Sequence, residues 1–331
     1  MSIKKLRVLI ESRPFCVFDN SPMEALQAAE TIEIADMRGS GIQNSDFVAA
    51  LRNADAVLCG NDLIVNEALF KMAAGLKVIA KQGAGLDTVD IEAATRHGAL
   101  VFHTPGVNNH AVADHTFAII LALARKIVYC DTSLREKRWE HTKILGLEIW
   151  KKTLGLIGLG AIGRCVALRA AGFQMKVAAY DPYWPTEFAA EHNIDRMEIN
   201  DLLRLSDIVS IHAPLTAENR GLINAKTLAL MKPNALLINA ARGGIVNESD
   251  LCQALRNGVI AGAGLDVFEK EPPTDSPLLA LDNVVLTPHT AAFTHEAMNQ
   301  MNVVIVQELL DYAAGHKPAH CVNSQLWDQG R

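Results

Sequence analysis

The sequence has 331 residues, half of them apolar and 21% charged, which supplies material for two buried cores and excludes a disordered chain. Its net charge of −6, without basic blocks, argues against nucleic acid as a partner. The longest unbroken apolar run, 117–124, falls far short of the roughly 18 residues that span a bilayer. No membrane partner is therefore expected.

Met1-Ser-Ile-Lys-Lys leads directly into a short apolar run with no signal-peptide character, so the expected location is cytoplasmic. Six scattered cysteines, with no CxxC pair, read as reduced thiols in keeping with that. Apolar runs at 7–11, 31–35, 56–59, 76–80 and 100–102 predict five strands with helices between them. Ser45 and Asp46 precede a helix over 47–52, and Asp90 caps one over 91–97 that stops at Gly98. A continuous helix is predicted over 107–128, which lacks internal Gly and Pro. A polar arm follows over 131–143, expected to pack on something outside its own domain.

A second alternation predicts seven strands, at 153–157, 176–180, 196–199, 208–212, 235–239, 260–267 and 284–287. A last helix over 296–314, after Thr294 and before Gly315, has no partner in sequence and is expected to cross back onto the first set of strands. The expected fold is α/β, with two doubly wound parallel sheets. One domain, 104–290, is inserted into another built from 1–103 and 291–331.

The strand at 153–157 runs into Gly158-Leu-Gly160-Ala-Ile-Gly163 and then a helical stretch. In that context the first glycine permits a tight turn and the second lets backbone approach a pyrophosphate. The third allows close helix–strand packing. Asp181, 18 residues after Gly163, ends the next strand where a carboxylate accepts from ribose hydroxyls and repels a 2′-phosphate. NAD, rather than NADP, is the predicted cofactor. Downstream, Arg242, Asp266 with Glu271, and His289 each lie in or just past a strand. A guanidinium grips a carboxylate, an imidazolium protonates a carbonyl oxygen, and a carboxylate beside the imidazole favours its charged form. Such a set suits reduction of a 2-oxoacid.

The motifs KQGAGLDTVDIEAA (81–94), TLGLIGLGAIGR (153–164), INAARGGIVNE (238–248), AGAGLDVFEKEPP (261–273) and LTPHTAAFTHEA (286–297) occur in this order. On them the sequence resembles the D-2-hydroxyacid dehydrogenases, on their phosphoglycerate dehydrogenase and hydroxypyruvate reductase side. The resemblance implies a Rossmann cofactor domain inserted in a flavodoxin-like substrate domain. It implies that His289 is the general acid in reduction and the base in oxidation, that Glu271 hydrogen-bonds it, and that Arg242 holds the substrate carboxylate. Asp266 would sit near the nicotinamide carboxamide. Cofactor contacts would come from Gly158, Gly160, Ala161, Ile162, Gly163, Asp181, His212, Ala213, Pro214, Ala240, Ala241, Arg242, His289 and Ala291. Gly83, Ala84 and Gly85 would bind the substrate carboxylate through backbone N–H groups, with Asn108 near a hinge. Glu269 lies close to Glu271, but the Glu-Pro-Pro context selects Glu271.

Lys81, just before the glycine loop, is either a contact for an anionic substrate tail or a solvated surface lysine. His110, His115, His316 and His320 do not form a metal set, and no metal is expected. The helix from Val107 and the arm after it are expected to make a homodimer. The resemblance leaves a hydroxypyruvate- or glyoxylate-like acid, or 3-phosphoglycerate, as substrate. Two departures bear on that choice. Phosphoglycerate enzymes carry an arginine after the third strand, where this chain has Cys59-Gly60-Asn61-Asp62, and Asp62 would repel a phosphate. With its end at Arg331, the chain is also expected to be without the regulatory domain of longer phosphoglycerate dehydrogenases. Formate is disfavoured, because formate dehydrogenases have Gln where Glu271 stands. The alternative reading is a NAD(H)-sensing binding protein of the corepressor type on the same fold.

Overall fold

The computed structural model describes residues 5–142 and 144–330. It divides into two units, Met1–Asn108 with Phe293–Arg331, and Asn109–Ala292. The divisions lie at 108/109 and 292/293, against 103/104 and 290/291 in the sequence expectation.

The first unit holds β1 (Leu6–Ile10), β2 (Ile32–Asp36), β3 (Ala56–Cys59), β4 (Val78–Lys81) and β5 (Leu100–Phe102), all parallel in the order β2-β1-β3-β4-β5. β3 and β4 are buried at every residue, which is why they read as continuous apolar runs. Alternate side chains feed two cores. Leu9, Val57, Ile79 and Val101 meet Phe47, Leu51 and Phe70 on one face. Val8, Ile10, Leu58 and Phe102 meet Met23, Leu26, Ile305 and Leu309 on the other. The last two belong to the helix His295–Ala313, which opens on the Thr294 side chain and covers this sheet. Asn44 and Asp90 cap the helices Ser45–Asn53 and Ile91–Arg96 through side-chain oxygens.

The second unit holds β6 (Thr153–Ile157), β7 (Lys176–Tyr180), β8 (Asp195–Arg196), β9 (Ile208–Ile211), β10 (Leu236–Asn239), β11 (Gly262–Leu265) and β12 (Val284–Leu286). Its strands are parallel in the order β12-β11-β10-β9-β6-β7-β8. The order reverses between β6 and β9 here, and between β1 and β3 in the first unit. Open α/β sheets bind ligands outside the strand ends at such points.

Three expectations are corrected. β8 is a two-residue edge strand, because Ile199 opens a helix, Ile199–Leu205, that buries Leu202 and Leu203. The helix expected over 107–128 is two helices, Asn109–Ala124 and Ile127–Arg135, broken at Lys126 with φ +51°. The returning chain causes the break: the Leu147 N–H donates to the Ala124 carbonyl at 2.6 Å and ends the helix there. The polar arm is therefore partly helical, and it folds on itself through Tyr129 Oη to Glu140 and Ser133 Oγ to the Arg138 carbonyl. Its last residue, Lys143, lies outside the described residues.

The helix Asn109–Ala124 lies close over β11 because that strand reads Gly-Ala-Gly-Leu. A Cβ on Gly264 would stand 2.0 Å from Ile119 Cγ2. Among the described residues, no helix is long and apolar enough to cross a membrane.

Candidate active site

In the second unit, the carboxyl ends of β6, β7 and β9 to β12 carry every site residue read from the sequence. β6 ends at Gly158, whose φ is +100°; a Cβ there would lie 2.5 Å from the His212 carbonyl oxygen. A Cβ on Gly163 would lie 2.2 Å from the Gly158 oxygen. Both glycines are thus demanded by the chain's own packing. Gly160 differs, since a Cβ on it would meet nothing within 4 Å. The space over Gly160 is open, and the helix Ala161–Gly172 begins there without a side-chain cap, a setting that suits an anion.

Asp181, after β7, accepts from Leu159 N–H and Tyr183 N–H at 2.7 Å each, which fixes its carboxylate beside the glycine turn. His212, after β9, has its imidazole pushed down to about 4 by burial and is neutral near pH 7. Its Nε2 meets Ser210 Oγ at 2.8 Å, while the buried Nδ1 has no partner among the described residues. Ala213 and Pro214 continue that strand end. This donor set and open turn fit a dinucleotide.

β10 ends at Asn239, which is fully buried. Its amide donates to the Arg242 carbonyl at 2.8 Å and its oxygen accepts from the Ala241 N–H at 3.1 Å. Gly243 then presses on the chain after β11, where a Cβ would stand 2.0 Å from the Phe268 carbonyl oxygen. The Arg242 turn and the Phe268–Glu271 turn are therefore locked together. Ala240 and Ala291 share a small apolar cluster with Val112.

Glu271 Oε2 lies 2.8 Å from His289 Nδ1, and Oε1 accepts from the Phe268 N–H at 3.1 Å. Burial works to raise the Glu271 carboxyl; the hydrogen bond and charge of His289 and the Phe268 N–H together outweigh it and leave the group below its ordinary value. Glu269 turns away: its Oε1 accepts from the Glu248 N–H at 3.0 Å, and its own N–H donates to Glu248 Oε1. His289 itself sits at φ +54°, a conformation uncommon for a side-chain-bearing residue.

Asp266 explains how that conformation is held. Its carbonyl accepts from the His289 N–H at 2.8 Å. Oδ1 accepts from the Thr290 N–H at 2.8 Å, and Oδ2 from the Ala291 N–H at 2.9 Å. Thr287 Oγ1 donates to Oδ1 at 2.6 Å. Burial opposes the charge on Asp266, yet the donors around it, His115 and Thr287 among them, keep its carboxyl below the usual value.

In the first unit, Lys81 is fully buried, so the solvated-surface alternative is corrected. Its Nζ donates to the Gly60 carbonyl and, at 2.6 Å, to Asn61 Oδ1. Gly83, at φ +132°, exchanges hydrogen bonds with Thr104, and His103 Nδ1 meets the Ala84 oxygen at 3.1 Å. Gly85 follows in the same loop. Asn108 has a buried Oδ1 without a partner among the described residues. Three residues escaped the sequence reading: Asn239, Thr287 and His115. A polar residue closing an otherwise apolar strand was the available signal for Asn239. Nothing in the local pattern marked the other two.

The model of the D-isomer specific 2-hydroxyacid dehydrogenase NAD binding domain matches residues 117–291. The chain belongs to this family. It is 42% identical over 283 residues to the D-3-phosphoglycerate dehydrogenase of Mycobacterium leprae, covering 86% of this chain and 54% of that one. It is 41% identical to the glyoxylate reductase of Thermococcus litoralis, covering 83% of this chain and 86% of that one. The chain thus spans about half the length of the phosphoglycerate dehydrogenases it matches. Among solved structures, D-lactate dehydrogenase of Aquifex aeolicus, complexed with NAD and lactic acid, is similar with a TM-score of 0.84. That pair is 29% identical, over 93% of this chain and 96% of the other.

The Glu271–His289 pair has a consequence for acid stability. The folded carboxyl titrates below its ordinary value of 4.5, so the unfolded chain holds the proton more tightly. The pair stabilises the fold above that value, and the contribution is lost as pH falls through the lower folded value. The difference in denaturant midpoint between wild type and Glu271→Gln is expected to shrink toward zero as pH falls below the ordinary carboxylate value and through the lower folded one. A difference that does not change with pH would contradict the ion pair.

Proposed function

We propose that the chain is an NAD-dependent oxidoreductase that interconverts a small 2-hydroxyacid and its 2-oxoacid. The observation that carries this reading is the 2.8 Å contact of Glu271 Oε2 with His289 Nδ1, at the strand edge that also bears Arg242. With Nδ1 turned to the carboxylate, Nε2 is the atom that serves the substrate. In reduction, His289 gives its Nε2 proton to the C2 carbonyl oxygen and becomes neutral; in oxidation it takes that proton back. Glu271 holds the ring by Nδ1 and so orients Nε2. Arg242 holds the substrate carboxylate as a two-pronged donor. The dinucleotide, when bound, supplies or accepts the hydride at C2. Gly158, Gly160, Gly163 and Asp181 bind it, and Lys81, Gly83, Ala84, Gly85 and Asn108 contribute to substrate binding.

The electrostatics of the first unit favour an uncharged substituent on the substrate. Around the reversal between β1 and β3, Arg13 Nε faces Asp62 at 3.5 Å. Lys81 serves Gly60 and Asn61 with the 2% exposed Glu11 alongside. Asp62 offsets Arg13, and the Lys81 ammonium is committed to Gly60 and Asn61 beside Glu11, whose carboxyl burial pushes up, so little positive charge is left uncommitted there for a phosphate dianion. A glyoxylate- or hydroxypyruvate-like acid fits better than 3-phosphoglycerate.

We also propose a cytoplasmic homodimer. All six cysteines are free thiols, in keeping with a reducing compartment. The stretch from Ile127 to Trp150 exposes Ile127, Val128, Leu134, Trp139, Leu145 and Trp150, an apolar surface that a second copy would cover. Sedimentation is expected to give twice the chain mass. Trp139→Glu combined with Leu145→Glu is expected to shift it to the single-chain mass, and a wild-type monomer at micromolar concentration would refute the dimer.

A panel of 2-oxoacids followed by NADH absorbance tests the activity. Turnover is expected with glyoxylate or hydroxypyruvate and not with phosphohydroxypyruvate. His289→Ala is expected to lower turnover by roughly 10²–10⁴-fold while NADH still binds. Tight NADH binding with no turnover on any oxoacid would instead indicate a nucleotide sensor. For the ribose assignment, Asp181→Ala is expected to narrow the NADH-over-NADPH preference, and an unchanged ratio of kcat/KM values would overturn it.

A further inference from the structure

The left-handed turn at His289 is held by Asp266, whose carbonyl accepts from the His289 N–H and whose buried carboxylate, itself held from outside the segment, accepts from the next two N–H groups. Asp266 is fully buried and takes hydrogen bonds from the Thr290 and Ala291 N–H groups as well as from Thr287 Oγ1. A threonine hydroxyl that donates to a carboxylate retains lone pairs that need a donor. His115 supplies it: its Nε2 lies 2.9 Å from Thr287 Oγ1 and 3.5 Å from Asp266 Oδ1. The direction of the Thr287 hydrogen bond requires the proton on Nε2 of His115, an assignment made from the network.

The backbone places these groups deliberately. His115 lies on the second turn of the helix Asn109–Ala124, which lies close over β11 because Gly264 has no Cβ to strike Ile119. Asp266 follows directly after β11, and Thr287 directly after β12. Thr116, the next residue on the helix, turns its hydroxyl back to the Val112 carbonyl at 2.8 Å and takes no part. The sequence of contacts is His115 to Thr287, Thr287 to Asp266, and Asp266 to the backbone of His289–Ala291. The ring of His289 then reaches Glu271.

We propose that His115 is a positioning residue for His289, acting through the Thr287 hydroxyl and the Asp266 carboxylate. It touches neither substrate nor cofactor in this account. It fixes the orientation of the two hydroxyl and carboxylate groups on which the left-handed turn depends. A general acid displaced by about an ångström loses on the order of 100-fold in rate, so the relay has a kinetic signature even though it forms no part of the chemistry. The inference rests on the general-acid role proposed above for His289, and the experiment separates the two.

His115→Phe keeps the ring volume and removes the donor, while His115→Gln places an amide N–H near the position of Nε2. His115→Phe is expected to lower kcat roughly 10–100-fold with KM and NADH affinity within about twofold of wild type. His115→Gln is expected to recover most of the loss. Thr287→Val is expected to reproduce the effect of His115→Phe, and the double variant to be no worse than either single one. A second readout needs no turnover. Amide hydrogen exchange over 287–292 is expected to quicken at least tenfold in His115→Phe, without a change in the strands of the sheet, and to return in His115→Gln. Unchanged exchange over that segment in His115→Phe would overturn the positioning role, whatever the activity. Quickened exchange with no activity in wild type would keep the positioning role and remove the dehydrogenase reading. Equal loss of kcat in His115→Phe and His115→Gln would also overturn it.

Discussion

Three successive backbone N–H groups, those of His289, Thr290 and Ala291, converge on Asp266. Without that convergence the segment after β12 has no reason to adopt a positive φ at a histidine, and the His289 ring would not stand at the Glu271 carboxylate. The arrangement needs a carboxylate that stays ionised inside the protein. Burial alone would drive Asp266 neutral, and a neutral acid would present a donor where two acceptors are required. The side-chain donors around it, Thr287 and His115, are therefore part of the site's construction, since they keep the acceptor charged. Strain at one residue is offset by hydrogen bonds gathered from three elements.

The glycines divide along the same lines. Gly158, Gly163, Gly243 and Gly264 are fixed by contacts within the chain, where any Cβ would overlap a carbonyl or a methyl group. They pull two turns and a helix inward, and the close approach of that helix is what brings His115 near Thr287. Gly160 has no such internal reason, and its freedom from contact suits the pyrophosphate role proposed for that turn. A high glycine content thus reflects two separate demands, one of packing and one of binding.

Most of the architecture could be read from the sequence because parallel strands are buried on both faces. That burial makes runs such as Ala56–Cys59 and Leu236–Asn239 wholly apolar, and the intervening helices announce their ends with Asn, Asp, Thr or Gly. What failed to show was set by distant chain. The break at Lys126 comes from Leu147 taking the Ala124 carbonyl, a contact that no local pattern encodes. The short β8 reflects an edge position with the helix partner Leu202 close behind. At the candidate site, the strand-end placement of Arg242 and His289 and the contact of His289 with Glu271 were legible. His115 was not, because its meaning depends on Thr287, 172 residues away. Lys81 was only half legible, since sequence could not say that its ammonium would be buried against Gly60 and Asn61.

The similarity to phosphoglycerate dehydrogenases and to a glyoxylate reductase runs at nearly equal identity, so overall likeness cannot choose between a phosphorylated and an unphosphorylated acid. The choice falls to a few charges. A phosphate dianion removed from water needs close, uncommitted cations, and an unpaired one is costly to bury. Arg13 and Lys81 both lie near the first unit's strand reversal, but Asp62 and Glu11 accompany them. A carboxylate 3.5 Å from the guanidinium, even in this exposed pair, lowers the attraction left for any further anion. An uncharged hydroxymethyl group or a hydrogen at that position meets no such penalty. On the proposed function, discrimination at the far end of the acid would therefore rest on electrostatic balance around Arg13 and Lys81.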